Sequence, residues 1–253
     1  MLKIKNKNTF TLAVTIFLFL FYVPSTAIAK RVSFGSRSAF GLGFRGGIAE
    51  NPIQSFTSTP QTTSTNYTKI IGFEPFLDFD NFSLRATMNL HLHPLVQGSG
   101  TDNILGQNFT ESSDASTFSY GIKLLLVPYR NTADRIRIYL GVGAGLANLY
   151  AANTRNYHNT SGTVTATYVE KVRGSSSYTE SLLGLEFFLV QNYSLALETG
   201  YKTLNFEKPT YYNSNDVRGT TIEKGSTVKN VSGTDETFTY NGFNFSISFN
   251  LHF

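Results

Sequence analysis

The last fourteen residues, Tyr240 to Phe253, read YNGFNFSISFNLHF, and they constrain the fold more than any other stretch. From Phe243 onward every odd position is apolar: Phe243, Phe245, Ile247, Phe249, Leu251 and Phe253. The even positions, from Asn244 to His252, are small or polar. A strict period of two marks a β-strand with one apolar and one polar face. The run is also longer than the roughly 5–6 residues of an ordinary soluble strand.

Seven earlier segments alternate in the same way. They lie near 39–48 (Phe40, Leu42, Phe44, Gly46, Ile48), 67–79 (Ile71, Phe73, Leu77, Phe79) and 82–93 (Phe82 to Leu92). Others lie near 117–127 (Phe118 to Leu126), 135–150 (Ile136 to Leu146), 178–190 (Leu183 to Leu189) and 193–205 (Tyr193 to Tyr201). Three links are short: Asp80-Asn81, the stretch around Pro128–Asp134, and Val190–Asn192. The links 49–66, 94–116, 151–176 and 207–236 are long and rich in Ser, Thr, Asn and Gly, which reads as loop. Short turns at one end and long loops at the other is the asymmetry of outer-membrane barrels. An even strand count leaves both chain ends on the short-turn side, the periplasm. Pieces such as Thr163 to Val172 are β-prone, so they either prolong strands or add a hairpin and raise the count to ten. Pro75 cannot donate to a ladder and suggests a bulge.

Residues 1–29 read as a cleaved signal peptide. Lys3, Lys5 and Lys7 precede the apolar run Phe10 to Val23, and Ala27-Ile28-Ala29 gives the small-x-small cleavage pattern. The run is too short for the roughly 20 residues of a spanning helix. The expected organisation is therefore 1–29 removed, a short periplasmic segment at 30–38, and one barrel domain at 39–253. Three of the 21 basic residues leave with the signal, so 18 remain against 17 acidic ones, and nucleic acid is not an expected partner. The absence of cysteine excludes disulfides, thiol catalysis and lipid attachment to an N-terminal cysteine.

Alternation alone does not say which face is inside, because a soluble lipocalin-like barrel alternates too. Here the polar face is rich in small residues, among them Gly41, Gly43, Gly141, Gly143, Gly145, Gly184 and Gly200, which suits a crowded lumen. Its charges are few and of both signs: Arg45, Glu74, Arg85, Lys123, Arg137, Glu180, Glu186, Glu198 and Lys202. Aromatics gather at the ends of the apolar face. Phe40, Phe79, Phe82, Tyr193 and Phe253 lie toward the short turns, with Tyr120, Tyr150 and Tyr201 toward the loops. Two such rings fit the interfacial girdles of a lipid-facing band. The expectation is an all-β, closed, antiparallel up-and-down transmembrane barrel of eight strands, with the nine charged residues forming a polar network in its lumen.

Strand count, loop asymmetry and a terminal strand ending in Phe253 together resemble the eight-stranded outer-membrane proteins of the OmpA, OmpX and OmpW type. The resemblance implies residence in the outer membrane of a Gram-negative-type bacterium, with outer-membrane lipid as a partner. It also implies that Phe243, Phe245, Ile247, Phe249, Leu251 and Phe253 form the signal strand read by the barrel-assembly machinery, with periplasmic chaperones as partners during export.

Candidate chemistry is sparse. Gly41-Leu42-Gly43-Phe44-Arg45-Gly46 matches a dinucleotide-binding fingerprint by letter, but it lies within a strand and no helix follows. His91 and His93 share one strand face, a spacing that can chelate a metal, yet no further ligand is identifiable. A lipid-modifying enzyme needs a nucleophile or base at the outer rim or lipid face. His91 and His93 face inward, His158 lies in a loop, and His252 is at the opposite end. No enzyme activity, catalytic residue, metal or cofactor is therefore expected. The interior of an eight-stranded barrel is just wide enough for side chains to fill it. A structural or surface-interaction role through long loops toward an extracellular ligand is the primary reading, with a narrow small-solute channel as the alternative and a lipid-modifying barrel enzyme as a remote one.

Two registers sharpen the lumen. With Asp80-Asn81 as a two-residue turn, Leu77 opposes Leu84 and Phe73 opposes Met88. Arg85 then lies between Glu74 and Asp78, with Arg45 within reach of Glu74 from the other side. With Val190-Gln191-Asn192 as a three-residue turn, Leu189 faces Tyr193 and Glu180 faces Lys202, an expected ion pair near the outer mouth.

Overall fold

A computed structural model describes residues 40–50, 61–63, 67–79, 81–101, 106–130, 135–190, 192–217, 220–229 and 233–253. The signal and periplasmic segments read at 1–29 and 30–38 lie outside the described residues. Eight long strands form the ring: β1 (Phe40–Glu50), β2 (Tyr67–Asp78), β3 (Phe82–Leu92), β4 (Asn108–Arg130), β5 (Ile136–His158), β6 (Val164–Val190), β7 (Tyr193–Glu207) and β8 (Gly242–His252). Each pairs antiparallel with its neighbours in sequence, and β1 closes the ring on β8. Phe44, for example, stands between Phe249 on one side and Phe73 on the other. The chain is a closed up-and-down barrel of eight strands. Closure leaves no free edge, so every strand has a partner on both sides.

The barrel is inside-out relative to a soluble one. Ile122 is 57% exposed and Phe243 62%, whereas Arg85 and Lys123 are 1% exposed. The outward face carries Phe44, Ile71, Leu126, Leu140, Val142, Phe245, Ile247 and Phe249. An apolar surface this continuous is unfavourable in water and suits a lipid surround. At the short-turn end Phe40 stacks on Phe253 with centroids 6.0 Å apart, Phe79 on Phe82 at 4.4 Å, and Tyr193 on Phe249 at 5.8 Å. At the other end the rings of Tyr201 and Phe243 meet edge to face at 5.1 Å.

Three strands are much taller than their alternation predicts. The stretches 94–116 and 151–176, read as loops, supply the outer halves of β4, β5 and β6. Above a lipid band the outer face has no reason to be apolar, so the two-residue signal fades although pairing continues. Among the described residues no ninth or tenth strand joins the ring, and the added residues prolong existing strands instead. The β5–β6 turn is built by Asn159, whose side-chain oxygen accepts hydrogen bonds from the Ser161 and Thr163 amides at 3.1 and 2.8 Å. Gly162 takes the left-handed φ of 81° that this turn demands. Short strands at 96–101 and 61–63 extend the sheet beside β4, and 210–211 and 237–239 extend it beside β6 and β7.

Two local expectations need correction. Pairing between β2 and β3 lapses at Glu74 and Pro75 but resumes in the same register, Phe73 with Met88 and Phe76 with Arg85, so Pro75 makes no bulge. The proline is buried and has no N–H to donate, and the ladder merely skips it. Val190 rather than Leu189 stands opposite Tyr193, so Leu189 is bulged and the turn is shorter than three residues. Beyond that bulge Phe187 faces Leu195, Leu185 faces Leu197 and Glu180 faces Lys202, as the alternation requires.

Candidate functional site

All nine charged residues singled out from the sequence point into the lumen, and the structure links eight of them into one network. Glu74 is the hub. Its Oε1 accepts from Arg45 Nη1 at 3.0 Å and from Lys123 Nζ at 2.8 Å, while Oε2 lies 3.7 Å from Arg85. Glu198 faces the same cations, 3.4 Å from Arg45 and 3.3 Å from Lys123, and accepts from the Tyr139 hydroxyl at 2.8 Å. Glu186 accepts from Arg137 Nη2 at 2.7 Å and Nε at 3.1 Å, and the second Arg137 partner is Asp78 at 2.8 Å. Arg85 bridges the halves, 3.7 Å from Glu186 and 3.8 Å from Glu198, with its guanidinium over the rings of Phe76 and Tyr139. Glu180 joins through Lys123 at 3.4 Å.

Burying this many charges is tolerated because each member except Glu180 has at least two partners of opposite sign, since an ion removed from water with no partner costs several kcal/mol. The network fills the cross-section. Glycines make the room: a Cβ at Gly184 would overlap the Tyr139 ring, and one at Gly41 would overlap Phe76. Below the ions, Phe76 and Phe188 pack on the His252 ring, each with centroids 5.1 Å away. Above them, Leu149, Val172, Leu204, Phe206, Val228 and Phe238 form an apolar cluster on the β5–β7 side of the mouth.

Lys202 is the exception to the network. Its Nζ lies 3.4 Å from His91 Nε2, 3.4 Å from Ser119 Oγ and 3.9 Å from the centroid of the Tyr178 ring. The expected pair with Glu180 does not form, because Lys123 from β4 reaches that carboxylate first. Lys202, His91, His93, Asn89 and Asn244 line a vestibule at the outer end of the lumen. Both ring nitrogens of His93 are engaged by hydroxyls. It is held by Thr68 at 2.8 Å and Thr117 at 2.9 Å, with its ring 4.7 Å from that of Tyr240. Among the described residues, no three His, Asp or Glu side chains gather as a metal-binding set.

Several lumen residues were not singled out in advance. Tyr139, Ser194, Asn250 and His252 all bind the network's carboxylates or each other, with Ser194 donating to Glu186 and contacting His252 Nε2 at 2.9 Å. Their inward parity on β5, β7 and β8 was visible, but uncharged residues carried no chemical signal. A second ion pair, Glu111 with Arg155 at 2.7 Å, lies in the tall outer part, where Arg155 also stacks over Phe109. Of the terminal strand, Phe243, Phe245, Ile247, Phe249 and Phe253 are exposed on the outer face, and Leu251 is half-buried.

No protein-family model and no curated protein sequence matches the chain. Among solved structures it is similar to the outer membrane protein OprG from Pseudomonas aeruginosa, at 12% identity and a TM-score of 0.46 over 86% of this chain and 97% of that one. It is also similar to Ail, the attachment invasion locus protein of Yersinia pestis, solved with the heparin analogue sucrose octasulfate. There the identity is 7% and the TM-score 0.35, over 85% of this chain and 99% of that one. Neisserial surface protein A gives 11% identity and a TM-score of 0.31, over 85% and 96%.

Proposed function

We propose that this chain is an integral outer-membrane barrel whose lumen is a structural pillar and whose tall outer strands present an interaction surface to the outside. The observation that carries the reading is the filled cross-section. Glu74, Arg85, Lys123, Glu186 and Glu198 are each at most 1% exposed, and Phe76 and Tyr139 occupy what remains between them. An ion passing through would have to displace side chains that are each held by several partners.

The outer part supports the second half of the reading. Phe109, Tyr157 and Val96 are buried there, so the extension of β4–β6 has a small core of its own. The 208–241 connection is pinned at Asp235, which lies 3.1 Å from Lys229 and 3.5 Å from Lys208. Exposed Tyr212 stands between the cations of Arg173 and Lys224, 5.6 and 5.3 Å from its ring centroid. Tyrosine flanked by arginine is the composition of interaction hot spots.

Planar-bilayer recording tests the reading. The refolded protein should insert without conductance steps, and binding to cells or matrix should be lost when 208–241 is replaced by a short turn. A steady conductance from the unmodified barrel would favour the narrow channel instead.

A further inference from the structure

The outer vestibule holds a cation that its surroundings do not neutralise by contact. Lys202 faces inward from β7, and no carboxylate of the described residues lies within 4.0 Å of its Nζ, since Glu180 opposite it is taken by Lys123. An ammonium carries three strong donors. Its two contacts at 3.4 Å, to His91 and Ser119, are long for hydrogen bonds and both go to neutral groups. The third direction is the face of Tyr178. The ammonium is half-buried, and a charge partly withdrawn from water with no opposite charge in contact is stabilised when an anion joins it.

The same place has room. The vestibule bordered by Lys202, His91, Asn89, Thr117, Asn244 and Arg45 holds space for roughly three water molecules. Its walls offer donors of two kinds: the ammonium and the Asn89 and Asn244 amides. Arg45 forms the floor, already bound to Glu198 and to the Asn244 oxygen at 3.4 Å each. Two carboxylates also border the space. Glu180 is engaged with Lys123, and Glu50 lies at the rim with its Oε2 3.4 Å from the Phe243 amide. Those two charges oppose a dianion more than a monoanion.

We propose that the vestibule is a binding site for one small monocarboxylate of about the size of acetate, its oxygens on Lys202 Nζ and the neighbouring amide donors. The proposal holds whether or not the barrel conducts, because it concerns only the outer end of the lumen. The ligand completes the shell of Lys202 and leaves the ion network below untouched.

Calorimetric titration of the folded barrel in maltoside detergent with sodium acetate, at fixed ionic strength and neutral pH, tests it. The expected result is saturable one-site binding, weaker by tenfold or more in Lys202→Met and unchanged within threefold in Lys229→Met. Phosphate at a pH where it is mainly the dianion should bind less tightly than acetate. Heat-modifiable migration establishes that each variant is folded. His91→Phe, which fills the space while keeping Lys202, is a second variant and should abolish the binding on its own. Absence of saturable acetate binding in the unmodified protein, equal binding in folded Lys202→Met, or tighter binding of the phosphate dianion would each overturn the proposal.

Discussion

Glu180 and Lys202 stand directly opposite each other on β6 and β7, with both side chains on the lumen face, and they do not form an ion pair. Glu180 turns to Lys123, which comes from β4 at 3.4 Å. Lys202 turns to His91 and the Tyr178 ring. Lys123 and Glu180 are paired to opposite sides of Gly143 in β5, which puts no side chain between them. A partner two strands away across a glycine therefore competes with the directly opposed residue, and here it wins.

That competition predicts a pattern of coupling. A double-mutant cycle of Glu180→Gln with Lys202→Met should be additive within about 0.5 kcal/mol, the scatter for residues that do not interact. The cycle of Glu180→Gln with Lys123→Met should exceed that figure. Urea unfolding of the refolded barrel supplies the stabilities. Stronger coupling to Lys202 than to Lys123 would reverse the pairing described here.

Arg137 gives the largest expected single effect. Its guanidinium serves Asp78 at 2.8 Å and Glu186 at 2.7 Å, both deep in the lumen. Removing one partner of a buried pair leaves an uncompensated charge and costs about 3–5 kcal/mol. Arg137→Met should lose stability on that scale, or fail to refold at neutral pH. Lys229→Met breaks only an exposed pair with Asp235 and should leave the urea midpoint almost unchanged. Equal losses from the two substitutions would mean that the lumen network contributes little.

Eight strands were legible in the sequence because a lipid-facing surface forces alternation. Phe44, Leu84, Leu140 and Phe249 had to fall on one face of the sheet, and their inward neighbours followed. The tall outer halves of β4, β5 and β6 were not legible, because both faces there carry polar residues such as Asn153, Thr154 and Arg155. Parity also placed all nine lumen charges without saying which would meet. Register with the adjacent strand correctly set Arg45 near Glu74, but it misassigned Glu180, whose partner comes from two strands away. His252 was read as lying at an unhelpful end. It proves to be a buried ring between Phe76 and Phe188, a role that aromatic contact fixes and sequence spacing does not.

Phe253 stacks on Phe40, and its amide donates to the Phe40 carbonyl at 2.9 Å. Were this contact only structural, Phe40→Ala and Phe253→Ala should lower assembled protein equally. The resemblance of the terminal strand to an assembly signal predicts inequality: Phe253→Ala should reduce the outer-membrane level severalfold, and Phe40→Ala much less. Quantitative blotting of membrane fractions, with export scored by signal cleavage, separates the two. Matching levels would leave the stack as the whole explanation.

The glycines of the misleading Gly-x-Gly-x-x-Gly run divide by face, and their substitutions should divide likewise. Gly41 points into the lumen, where a Cβ would overlap the Phe76 ring and crowd the Leu251 carbonyl. Phe76 cannot yield easily, since it is 1% exposed and packed on both Arg85 and His252. Gly46 points outward with nothing within 4 Å of such an atom. Overpacking a filled interior costs about 1–3 kcal/mol, whereas a surface change away from contacts stays within about 0.5 kcal/mol. Gly41→Ala should therefore shift the urea midpoint of the refolded barrel down, while Gly46→Ala leaves it in place. Adding Phe76→Leu to Gly41→Ala should recover part of the loss, because the smaller side chain vacates the position the new methyl needs. A Gly46→Ala loss as large as that of Gly41→Ala would show that strand conformation, and not lumen crowding, sets the requirement for glycine in β1.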